Sequence, residues 1–169
     1  MYRRGFTFIE TLITMGVLLM LTSILLLYNR SGEQQIVLFK EKASVVGLIL
    51  KAKSLSLNTL ITDEPICGYG VHFENNSYIL FKERSTDCAV SDRVYTIADP
   101  QELVEEHKLP SSLNFSLASG LQNIFFMPPD PFVFFDGIFA SGEKSISISN
   151  VDGSTSVDLK INSSGQISQ

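Results

Sequence analysis

The run from Phe6 to Tyr28 constrains this chain more than any other feature, because it contains no Lys, Arg, Pro or Asp and a single charge, Glu10. At a rise of 1.5 Å per residue such a run spans roughly 30–35 Å as a helix, enough to cross a bilayer. Arg3 and Arg4 precede it, and the positive-inside bias then keeps the short N-terminus in the cytoplasm and sends everything after the helix outward. A secretory signal peptide would show an apolar core of about 7–15 residues followed by a small-x-small cleavage site. Here the run is longer and ends in Leu25-Leu26-Leu27-Tyr28-Asn29-Arg30. A plain signal anchor explains all of this except two details.

The first detail is Glu10. A carboxylate in a membrane helix costs about 2.5–3.5 kcal/mol at the bilayer centre and less near the edge, so it needs a partner and a purpose. The second is the abrupt switch from Arg3-Arg4-Gly5 to Phe6-Thr7-Phe8-Ile9-Glu10. Gly5 offers an unhindered, extended backbone to a protease immediately before the apolar run.

The stretch Arg4-Gly5-Phe6-Thr7-Phe8-Ile9-Glu10-Thr11-Leu12 resembles the class III signal of type IV pilins and type II secretion pseudopilins. In that family a membrane prepilin peptidase cuts after the Gly and methylates the new N-terminal residue, and a Glu at the fifth mature position is a hallmark. The resemblance implies that residues 1–5 are a cleaved leader, that Phe6 becomes the N-methylated terminus, and that Glu10 is the assembly carboxylate. Phe8 stands where Leu is more usual, which keeps bulk and apolarity. The implied partners are prepilin peptidase, other pilins or pseudopilins through the N-terminal helix, an inner-membrane assembly platform, and membrane lipid before assembly. No cofactor and no enzymatic activity are implied. Physical chemistry supports the role given to Glu10: an ion pair between its carboxylate and a Phe6 amine is favourable away from water only when both partners are present.

Asn29-Arg30-Ser31-Gly32 interrupts the apolar run, and Gly32 is a soft point in an otherwise continuous helix. Beyond it Ile36, Phe39, Ala43, Val46, Leu50, Leu57 and Leu60 recur at spacings of three, four and seven, predicting an amphipathic helix to about Thr59 with this stripe on a sheet. Lys40, Glu41, Lys51 and Lys53 are expected to face water. After Asp63-Glu64-Pro65 the texture turns to strands: 66–73 and 78–82 around the turn Glu74-Asn75-Asn76-Ser77, then a weaker strand at 93–97 and a short helical turn around 101–107. Further strands are expected at 113–117, 123–126, 132–135, 145–149, 156–161 and 166–168. Pro128-Pro129-Asp130-Pro131 cannot belong to a central strand. The expected fold class is therefore α+β, a pilin-like long helix on an antiparallel sheet. Its divisions are the leader 1–5, the transmembrane half 6–28, the amphipathic half 29–61 and a β-rich extracytoplasmic domain 62–169.

Within the superfamily the later sequence resembles the H-type minor pseudopilins and their FimT-like relatives. The residues that carry this are Ala52-Lys53-Ser54-Leu55-Ser56-Leu57, the Cys-bearing first strand, Phe134-Phe135-Asp136-Gly137, Ser145-Ile146-Ser147-Ile148, and Ile161-Asn162-Ser163-Ser164-Gly165-Gln166-Ile167. That resemblance implies a structural minor pseudopilin at the tip of a secretion pseudopilus. Alternatives are a minor type IV or competence pilin, and an anchored extracytoplasmic binding domain that does not polymerise.

Charge narrows the partners further. Residues 1–30 hold three arginines against Glu10, a net of +2, whereas residues 31–169 hold ten Lys/Arg against seventeen Asp/Glu, a net of −7. An acidic outer domain offers no footprint for a phosphate backbone, so nucleic acid is not an expected partner. Cys67 and Cys88, the only cysteines, are read as a disulfide in an oxidising compartment, with two free thiols as the alternative. Cys67 and His72 suggest a nucleophile and base, but five residues apart on one strand they point to opposite faces. His107 is read as a solvated surface histidine. Asp130 and Asp136 are read as loop acids in preference to calcium ligands, and Asn75-Asn76-Ser77 as a turn in preference to a glycosylation acceptor.

Overall fold

The structure, a computed structural model, describes residues 7–59, 65–117, 120–129 and 132–168, the side chains of 26–31 excepted. The first element is a single helix, α1 (Phe8–Asn58). Thr7 is its N-cap: its carbonyl accepts from the Glu10 and Thr11 amides at 3.1 and 3.2 Å. Glu10 sits three residues on, with Oε2 at 3.4 Å from the Thr7 amide, which is the capping-box spacing. At the other end the Thr59 hydroxyl donates to the Ser56 carbonyl at 2.7 Å. Leu60, expected to extend the helical stripe, lies outside the described residues, as do Gly5, Phe6, Asp63, Glu64, Asp130 and Pro131.

Contacts divide the chain into two compact units, residues 1–37 and 38–169. In the first, Phe8–Leu25 is a helical segment long and apolar enough to cross a membrane, and none of it is buried.

The second unit holds the rest of α1 and ten strands: β1 (Ile66–Phe73), β2 (Ser77–Arg84), β3 (Leu103–Lys108), β4 (Leu113–Ser116), β5 (Asn123–Met127), β6 (Phe132–Phe135), β7 (Ile138–Phe139), β8 (Glu143–Asn150), β9 (Ser156–Asn162) and β10 (Ile167–Ser168). They form a six-stranded sheet in the order β3-β2-β1-β5-β6-β7 and a four-stranded sheet in the order β10-β9-β8-β4. Every pairing among them is antiparallel. The fold is therefore α+β, as the sequence predicts.

Three local expectations are corrected. Residues 101–107 supply strand β3, not a helical turn, and 93–97 is a loop of bends and turns. Strand β7 follows β6 through the two-residue turn Asp136-Gly137, whose φ values of 50° and 76° are those of the mirror-image turn that matches strand twist. The helical stripe is the third correction. Leu38, Lys42, Val45, Ile49, Ala52, Ser56 and Thr59 are the buried positions, at spacings of four and three, together with Leu48. The expected stripe faces outward instead, with Phe39, Leu50 and Leu57 58%, 51% and 42% exposed. The polar members of the inner stripe earn burial through bonds. The Ser56 hydroxyl donates to the Phe126 carbonyl and accepts from the Tyr69 amide, both at 2.8 Å, tying the helix to β1 and β5 at once. Ser44 and Tyr78 share a hydrogen bond of 2.8 Å.

One face of the large sheet carries an aromatic core of Phe81, Phe125 and Phe134, flanked by Tyr95 and Met127. Gly70 on β1 lies between Phe81 and Phe125 in register, and the two rings stack at 6.0 Å across it.

Candidate functional site

The described part of the N-terminal segment is suited to lipid in a specific way. Unsatisfied polar groups in hydrocarbon cost several kcal/mol each, yet each of its threonine hydroxyls within α1 is satisfied by the helix itself. Thr11 donates to the Phe8 carbonyl at 2.8 Å and Thr14 to the Thr11 carbonyl at 3.0 Å. Thr22 reaches the carbonyls of Leu18 and Leu19 at 2.9 and 3.0 Å. Glu10 is different. Its Oε2 has only the Thr7 amide and the Thr7 hydroxyl, each at 3.4 Å, so the carboxylate keeps acceptor capacity for a stronger donor. The Phe6 amine that the resemblance assigns to it lies outside the described residues.

In the second unit the sequence-predicted residues are dispersed among structural tasks. Cys67 and Cys88 are joined by a disulfide, with Cα atoms 5.2 Å apart. It ties the loop after β2 back to β1, and closing a loop of 21 residues stabilises by about 3 kcal/mol in the chain-entropy view. A bonded Cys67 cannot be a nucleophile. His72 shares a 2.8 Å hydrogen bond with Asn123 Oδ1 and packs against the Tyr95 ring at 5.2 Å. His107 is not simply solvated: it bonds Glu105 at 2.9 Å and stacks on Tyr78 at 5.1 Å. Asp136 Oδ1 accepts from the amides of Gln122 and Asn123 at 3.0 and 2.7 Å and from the Asn123 side chain at 3.1 Å, so it holds the hairpin turn in place. Among the described residues no three His, Cys, Asp or Glu side chains are grouped to hold a metal ion. The Asn75-Asn76 turn is anchored by the Phe115 and Leu109 amides, at 2.9 and 2.8 Å from its two carbonyls.

Sequence reasoning missed a buried acidic pair. Glu83 on β2 and Glu102 just before β3 are 6% and 7% exposed. Glu102 accepts the Thr96 amide at 2.7 Å. Glu83 Oε2, Ser91 Oγ and Arg93 Nε have no hydrogen-bond partner among the described residues. Burial, then the neighbouring carboxylates of Glu102 and Asp92, push the Glu83 carboxyl up to about 7. Burial likewise raises Glu102. A raised carboxyl pKa means the folded chain holds a proton that the unfolded chain releases between the ordinary range and pH 7, so stability is lost as pH rises through that window. We expect the thermal midpoint to fall between pH 5 and pH 8, and Glu83→Gln to remove most of that fall, a gain of up to about 3 kcal/mol at pH 8. An unchanged pH slope in the variant would show that Glu83 is not the responsible group.

Residues 1–26 match a family model described as the prokaryotic N-terminal methylation motif. The N-terminal segment is thus a type IV pilin-like prepilin signal, and with the apolar helix behind it the chain is membrane-anchored. No curated protein and no solved structure matches the chain.

Proposed function

We propose that this protein is a structural subunit of a pilus or pseudopilus, processed by prepilin peptidase between Gly5 and Phe6, methylated on Phe6, and assembled through its N-terminal helix. The observation that carries the reading is the methylation motif at residues 1–26 running directly into a helix whose Phe8–Leu25 segment is apolar and wholly unburied. Before assembly the subunit sits in the inner membrane as a single-pass protein, N-terminus cytoplasmic and second unit periplasmic, surrounded by lipid. The inner-membrane platform then extracts it, and Glu10 neutralises the new amine of a neighbouring or its own Phe6. The outward stripe of Phe39, Leu50 and Leu57 supports contact with other subunits, because contiguous exposed apolar surface marks interaction sites.

The finer reading, from the H-type resemblance, is a minor pseudopilin near the tip of a type II secretion pseudopilus, serving protein transport without catalysis. A second reading is a pilin present in repeated copies. It is favoured by the two unlike open edges of the large sheet, β3 and β7, since unlike surfaces on one subunit allow head-to-tail repetition.

Co-expression with a prepilin peptidase tests the proposal. Intact mass should fall by residues 1–5 and rise by one methyl group located on Phe6. A chain that retains its first five residues beside an active peptidase is an anchored binding domain instead, and the assembly reading is lost.

A further inference from the structure

We infer that copies of this chain join edge to edge, strand β7 of one subunit adding to strand β3 of the next, so that the large sheets form a continuous head-to-tail ribbon. The inference deepens the assembly reading and rests on it for its setting.

The first support is topological. The six strands of the sheet alternate in direction across all five pairings, so its two edges run in opposite senses. A second copy displaced sideways without inversion then presents its β3 antiparallel to β7 of the first. That is the stronger of the two ladder types per residue, and it needs no rearrangement of either subunit. Because the two edges differ, the contact is heterologous and propagates without closing on itself, as a filament requires.

The second support is the surface of the edges. Edge strands of isolated domains are usually blunted by charge, shortness or cover. Strand β7 is short but carries no charge. Ile138 and Phe139 are 74% and 56% exposed, and Phe132 beside them is 44% exposed. The rings of Phe132 and Phe134 flank Phe139 at 5.9 and 5.7 Å. These residues border a cleft of about 270 Å³ lined by Phe135, Asp136, Ile138, Phe139, Ser141 and Lys144. At the opposite edge, β3 begins with Leu103 and Val104, each 42% exposed, and continues as Glu105-Glu106.

The third support is charge. Lys144 makes no ion pair among the described residues, and it stands at the apolar cleft. On β3, Glu106 has only Lys108 of its own strand, at 3.8 Å, whereas Glu105 is engaged by Lys51 and His107. Apolar Leu103-Val104 against Ile138-Phe139, with Glu106 toward Lys144, matches apolar to apolar and acid to base. Main-chain bonds would supply affinity and this pattern the specificity.

Full-length chains carrying Val104→Cys or Ile138→Cys, differently tagged and co-expressed with prepilin peptidase, test the contact under mild oxidation in membranes and filaments. Cys67 and Cys88 are already bonded to each other, so the introduced thiols react alone. The expected result is a mixed dimer from the two variants together, no dimer from either alone, and a ladder when both changes are in one chain. Lys144→Glu should cut the mixed dimer at least fivefold, and adding Glu106→Lys on the partner copy should restore it. Self-dimers of Ile138→Cys as abundant as the mixed dimer would show like edges pairing and overturn the inference, as would the absence of any dimer. Intact mass read in the same samples separates the two claims. Processed, methylated chain without cross-links sinks the edge contact alone, and cross-links in unprocessed chain sink the assembly reading alone.

Discussion

Gly70→Ala is expected to abolish the folded second unit, the largest stability loss of any single methyl group added here. A Cβ at position 70 would lie 2.5 Å from Cζ and 2.6 Å from Cε1 of Phe81, and 2.7 Å from the carbonyl oxygen of Ile124. The ring has nowhere to go, because Phe81 is fully buried and stacked between Phe125 at 6.0 Å and Tyr95 at 5.7 Å. The carbonyl belongs to the β5 backbone, paired to β1 at this point in the ladder, so relief there breaks sheet hydrogen bonds. Overpacking usually costs about 1–3 kcal/mol. With a backbone clash added, the loss exceeds about 4 kcal/mol, comparable with the whole stability of a domain. Gly47→Ala is the matched control: it lies in α1 with nothing within 4 Å of the new methyl, and it should stabilise by about 0.5–1 kcal/mol. Urea unfolding of the detergent-solubilised chain followed by circular dichroism reads both. A native-like Gly70→Ala protein would show that the Phe81 ring is not held where the packing puts it.

What the sequence reveals of this molecule follows the dimensionality of the constraint. The bilayer imposes a one-dimensional rule, so the apolar run after Arg4 and the misfit of Glu10 can be read directly from the residues. Strands β1, β2, β5, β6, β8 and β9 are legible because alternation and turn residues such as Asp152-Gly153 are local signals. Strand β3 is not, because Glu105-Glu106-His107-Lys108 carries the charges suited to an exposed edge and those charges hide the alternation. The helix register fails for a different reason. Two sets of positions with helical spacing coexist in α1. The more apolar one, through Phe39 and Leu50, is exposed, and the one containing Lys42, Ser56 and Thr59 is buried. Hydrophobicity alone ranks them wrongly, since Ser56 is drawn inward by bonds to β1 and β5 that are remote in sequence. The Glu83–Glu102 pair is likewise invisible, because burial of a carboxylate depends on which loop covers it.

Glu10→Ala is expected to leave membrane insertion and cleavage unchanged while lowering incorporation into filaments at least tenfold. The local helix tolerates the change. The Thr7 carbonyl still accepts the amides of residues 10 and 11, and the carboxylate's own contacts to Thr7 are long, at 3.4 Å. Lost capping therefore costs at most about 1 kcal/mol. Peptidase recognition rests on the leader and the first apolar residues, which the variant keeps. What disappears is the counter-charge for the Phe6 amine. Leaving one partner of a buried pair uncompensated costs about 3–5 kcal/mol, and even half of that, lost once per subunit added, exceeds a tenfold effect. Glu10→Gln separates the two roles of the side chain, because the amide oxygen can still accept from Thr7 but carries no charge. If pairing matters, Gln assembles as poorly as Ala. If capping matters, Gln assembles like the unmodified chain and Ala does not. Quantifying sheared filaments against membrane-retained, methylated subunit measures both variants on one scale, and normal incorporation of Glu10→Gln would remove the ion pair from the mechanism.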